Sequence, residues 1–149
     1  MNTALRRIVL AITAALGIFV GVWAAAFPDS FYSEFPGLGF IWVAVDGPFN
    51  EHLIRDVGGL YLAIAAATLL ALFSRELAAT RAVGVAWTVF GVLHLSYHAS
   101  HLAGMSETDA IGELLSLSVS LVLGIILLLP ARRPSAQTPD TTNTKETAQ

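Results

Sequence analysis

Apolar side chains along this chain fall into long runs rather than into the alternating or one-faced patterns of a soluble domain. Four runs approach the roughly 20 residues needed to cross a hydrocarbon core about 30 Å thick. They cover residues 8–27, 52–73, 82–102 and 110–130, and the first is closed by Pro28. Each is long and predominantly apolar, so the pattern predicts an all-α integral membrane four-helix bundle. Residues 1–133 form the membrane domain. Residues 134–149, "PSAQTPDTTNTKETAQ", lack any apolar side chain larger than Ala and are expected to be a disordered cytoplasmic tail.

Arginine gathers on one side of the breaks between the runs and is missing from the other. Arg6 and Arg7 precede the first run, Arg75 and Arg81 flank the connection between the second and third, and Arg132 and Arg133 follow the fourth. The opposite side carries Asp29, Glu34, Asp46, Glu51, Glu107 and Asp109 with no Lys or Arg in either loop. Positive residues collect on the cytoplasmic side, so a multi-pass protein of the cell membrane with both termini cytoplasmic is expected. A cleavable signal peptide over residues 1–26 is the rival reading and would leave three spans. The larger outward loop contains Phe31, Tyr32, Phe35, Phe40, Trp42 and Phe49, side chains that favour the headgroup interface, and it is expected to lie on the membrane as a lid or as an anchor.

Composition narrows the chemistry. The 149 residues are 55% hydrophobic and 13% charged, with a net charge of −3 and no cysteine. That excludes disulfides, thiolate metal sites and cysteine nucleophiles. The scattered Lys and Arg form no nucleic-acid patch. The lipid bilayer is the expected environment, with a membrane protein complex or a homo-oligomer as the expected partner.

One run is interrupted by imidazoles. "GVLHLSYHASH", residues 91–101, holds His94, His98 and His101 at steps of four and three, which superimpose on one helix face. With the third span running outward, His98 lies about 4.5 Å deeper than His101, and His94 about 6 Å below that. Glu51, His52, Arg55 and Asp56 open the second span, and Glu113 lies near the outer end of the fourth, so all these residues share the outer half of the membrane. An ionisable group there costs a few kcal/mol or more unless it is paired, so such groups converge on the bundle interior. Neutral imidazoles with a carboxylate are the donor set of Zn, Cu or non-haem Fe. His52 with a third-span histidine could equally hold haem. His52, His94, His98 and His101 are therefore candidate metal or haem ligands, with Glu51 or Glu113 as the carboxylate, and a redox role would follow.

Arg55, Asp56 and Tyr97 form the expected supporting network. Arg55 is expected to meet Glu113, and Asp56 a protonated histidine. Alternatively Arg55 anchors a carbonyl-bearing ligand such as a quinone headgroup, with Tyr61 and Tyr97 as donors. The competing class is a non-catalytic accessory subunit whose polar cluster is a packing network. A small transporter is a third class, with Gly58-Gly59 as a break in the second helix. "HLSYH" lacks the glutamate of a metalloprotease motif, which leaves no support for a hydrolase. Gly17 and Gly21 form a GxxxG step for close helix contact.

The run "NEHLIRDVGGLYLAIAAATLLAL", with Arg55, Gly58 and Gly59 in an Arg-x-x-Gly-Gly pattern after an aromatic loop, resembles the DoxX/DoxD-like group of small four-span membrane proteins. The resemblance implies a four-helix bundle and a link to quinone-dependent sulfur or redox metabolism.

Overall fold

The computed structural model describes residues 3–130. The tail at 134–149, together with Arg132 and Arg133, lies outside the described residues. The chain is mostly helical. Helix α1 (Thr3–Ala26) leads into a short α2 (Pro28–Glu34) and a two-stranded hairpin, β1 (Pro36–Gly37) antiparallel to β2 (Phe40–Ile41). Helices α3 (Glu51–Phe73), α4 (Leu77–Ser100) and α5 (Glu107–Leu128) follow. Helices α1, α3, α4 and α5 are each long and apolar enough to cross a membrane.

These helices begin ahead of the apolar runs because polar residues start them. Asn50 accepts the Leu53 N–H through its side chain at 3.1 Å, and Ser106 accepts the Asp109 N–H at 3.1 Å. Both satisfy amides that the first helical turn leaves without an internal partner. Pro28 sits at the first position of α2, where its missing N–H costs nothing.

The long helices pack as two close pairs, α1 on α3 and α4 on α5, with a narrower seam between α3 and α4 and a further contact between α1 and α5. Glycine sets the intimacy of each pair. A Cβ at Gly17 would lie 3.0 Å from the Ala65 Cβ, one at Gly21 2.8 Å from the Leu62 Cγ, and one at Gly58 2.5 Å from the Ala25 backbone nitrogen. The GxxxG step thus faces α3. On the other pair, a Cβ at Gly124 would lie 2.9 Å from that of Trp87. Trp87, with 1% of its surface exposed, stitches the seam by donating from Nε1 to the Thr68 hydroxyl at 3.0 Å. Outward surfaces carry Ile12, Phe19, Val85, Val89, Leu93, Leu115 and Val119, the apolar exterior that suits a lipid solvent.

Helix α3 runs unbroken through Gly58 and Gly59, so the interrupted helix of the transporter reading is not present. Its buried residues are Ile54, Gly58, Tyr61, Ala65, Thr68 and Ala71, one stripe at steps of three and four. His52, Arg55 and Asp56 fall off that stripe, and Glu51, in register with it, is exposed at the first position of the helix.

Candidate functional site

His94 and His98 are one helical turn apart on α4, and the expected ladder forms at these two positions. Their rings meet edge-on with centroids 4.7 Å apart. His94 stacks on Phe90, centroid distance 5.0 Å, and meets Tyr61 of α3 edge-on. His98 Nδ1 lies 2.9 Å from Glu113 Oε1 and 3.7 Å from Asp46 Oδ2. Only 13% of the His98 side chain, 4% of Glu113 and 26% of Asp46 is exposed. One imidazole therefore joins three pieces of chain: α4, α5 and the α1–α3 connection.

That connection is held in place from several directions. Trp42 packs over Gly112, where a Cβ would lie 3.2 Å from Trp42 Cζ2, so any larger residue would require the indole to shift by a few tenths of an ångström. The Ile41 N–H donates to Asp109 Oδ1 at 3.3 Å, tying β2 to the start of α5. The Tyr32 hydroxyl donates to the Gly47 carbonyl at 2.7 Å and braces the connection across itself. Phe31, Phe35, Trp23 and Trp42 form a run of ring contacts beneath it. Glu113 Oε2 and Trp42 Nε1 are buried without a hydrogen-bond partner, so this corner is tightly enclosed yet incompletely satisfied.

Burial, the leading cause, raises the Asp46 pKa above the ordinary carboxylate value; His98 opposes the rise, Glu113 adds to it and His101 opposes it. The carboxylate is thus drawn into the corner by the imidazole and penalised by its surroundings.

The other expected ligands are placed elsewhere. His52 pairs with Asp56 on its own helix at 3.3 Å, with 87% of its side chain exposed. Glu51 accepts from Arg55 Nε at 2.8 Å. Arg55 also donates from Nη1 to the Ala25 carbonyl at the end of α1, and it does not meet Glu113. Asp56 does pair with a histidine, but with His52 rather than one from α4. Residues four apart on a helix are neighbours, and the outward turn of this face leaves them only one another and α1. His101 closes α4 as its C-terminal cap, stacks on Tyr97 at 4.1 Å and donates from Nδ1 to the Tyr97 carbonyl at 2.8 Å.

The six candidate ligands therefore do not share one centre. Among the described residues no group of three or more His, Asp or Glu is arranged to hold a metal ion. What assembles is a hydrogen-bonded imidazole–carboxylate pair, His98 with Glu113, joined by Asp46 at ion-pair distance and walled by Trp42, two residues that the sequence did not assign to the site. The only local signal for Asp46 is a lone charge in "IWVAVDGPF"; nothing short-range connects it to a histidine 52 residues later, 98 − 46. Compared with protein-family models, with curated proteins and with solved structures, the chain matches none of them.

Proposed function

We propose that this chain is a multi-pass protein of the cell membrane, with both termini cytoplasmic, that acts as a non-catalytic accessory subunit presenting an outward loop to a membrane partner. The single observation that carries this reading is the position of His98, within reach of Glu113 on α5 and Asp46 on the loop. Its Nδ1–H is spent on a neighbouring carboxylate, as in a clasp, and no substrate is needed to explain the burial of either group. The four apolar helices supply the bilayer fit, and the arginine-free loops supply the orientation.

A clasp at the base of a loop fixes what the loop displays. Between Gly37 and Gly39, Leu38 stands 99% exposed at φ 58°, a backbone setting that L side chains rarely adopt. Ile41, Val45 and Phe49 are exposed nearby in sequence. A rigidly held apolar tip suits contact with another membrane protein, since ordering the loop beforehand removes an entropic cost of association.

The test is a photo-crosslinking residue at position 38 in the protein's own membranes. A discrete heavier species is expected, and it should be lost when His98→Ala removes the imidazole that ties the loop to α4 and α5. Failure of the wild-type protein to form any such species would refute the docking role.

A further inference from the structure

We propose that residues 42–46 are a proton-controlled strap, closed over α4 and α5 when His98 is protonated and released when it is neutral. The inference rests on the clasp reading above and adds its regulation. The geometry places one imidazole against two carboxylates, Asp46 and Glu113, in a corner largely closed to water. With His98 protonated, one positive charge stands between two negative ones. Remove that proton and the corner holds two like charges at short range, which a low-dielectric surrounding makes costly. Glu113 is fixed on a helix, whereas Asp46 lies on the connection. The group free to leave is therefore Asp46, and the strap goes with it.

Every element packed here contributes to the balance. Helix α4 offers His94, Tyr97 and His101 besides His98, α5 offers Glu113 with Asp109 bonded to Ile41, and α3 turns Tyr61 toward His94. His101 is committed to the Tyr97 carbonyl and His94 to stacking on Phe90, so His98 is the group that faces both carboxylates. The raised pKa of Asp46 acts in the same direction: the closed strap binds its proton more tightly than the open one, so closure is favoured below that value and is weakened as pH rises through it. Trp42 and Asp46 bracket the strap, the first packed over Gly112 and the second on His98. Closing seals Glu113 and opening exposes it.

The chain has no cysteine, so two introduced thiols give a clean measurement. Val45→Cys and Glu107→Cys, spin-labelled on the full chain in nanodiscs, report the distance from strap to the start of α5. Between pH of about 5 and about 8.5, spanning the ordinary histidine range, a single short distance should give way to a longer one. The open-to-closed ratio should rise by up to about tenfold per pH unit while one proton is being lost. His98→Gln should abolish that transition, and Asp46→Asn, which removes the mobile like charge, should keep the strap closed at the upper end. A distribution that does not change with pH in the unmutated sequence overturns the proposal. So does an unaltered transition in His98→Gln or, should that variant misfold, in Asp46→Asn. The purified protein suffices, so a pH-insensitive strap with intact crosslinking from position 38 would sink this inference alone. A responsive strap without crosslinking would sink the docking role alone.

Discussion

Alanine at Gly58 and alanine at Gly59 add the same methyl group to the same helix in opposite surroundings. At Gly58 the new Cβ would lie 2.5 Å from the Ala25 nitrogen and 2.9 Å from its Cα, atoms of a neighbouring helix backbone that cannot rotate away. At Gly59 nothing lies within 4 Å. Both variants gain helix propensity, about 0.5–1 kcal/mol for replacing glycine. Only Gly58→Ala forces α1 and α3 apart, an overpacking cost of roughly 1–3 kcal/mol whose upper half fits a clash with main chain. Gly59→Ala should therefore be neutral to stabilising by up to about 1 kcal/mol, and Gly58→Ala should destabilise, leaving a gap of about 2–3 kcal/mol between them. Reversible unfolding in mixed micelles, followed by circular dichroism, measures both. Equal shifts, or a more stable Gly58→Ala, would refute the close α1–α3 approach.

Three further outcomes follow from the side-chain contacts. Thr68→Val keeps the volume at the α3–α4 seam but strands the Trp87 indole N–H, and should cost about 1–3 kcal/mol in the same unfolding assay. Arg55→Met removes the donor to the Ala25 carbonyl and should cost about 0.5–1.5 kcal/mol, whereas His52→Ala, losing only an exposed pair with Asp56, should stay within about 0.5 kcal/mol of the parent. Because the candidate ligands are dispersed, excess Zn(II) should leave the thermal midpoint unchanged; a rise that disappears in His98→Ala would restore the metal reading.

The helices were legible in the sequence because lipid-facing and interior positions are both apolar, which turns each span into a run that length alone identifies. Their starts were less so: Arg6, Arg7 and Arg81 lie inside helices although they break the apolar pattern, and Asn50 and Ser106 act through single capping bonds. The gathering of polar groups was half legible. Spacing along α4 put His94 and His98 on one face, and depth put Glu113 beside them. Depth alone could not separate residues turned inward from those turned out, and it grouped His52, Glu51, Arg55 and Asp56 with the cluster when the buried stripe of α3 passes through Ile54 and Gly58 instead. Asp46 and Trp42 reach the site through a hairpin and an aromatic cluster. Such a path depends on the whole connection folding back over α5, which no local pattern encodes.

A direct attraction between the α4 imidazole of His98 and the α5 carboxylate of Glu113 holds the corner together. A double-mutant cycle on His98→Ala and Glu113→Ala, read as unfolding free energies near neutral pH, isolates that term. A favourable coupling of about 1–2 kcal/mol is predicted, the upper range for polar contacts between membrane helices. Additive losses, with no coupling between the two positions, would contradict it.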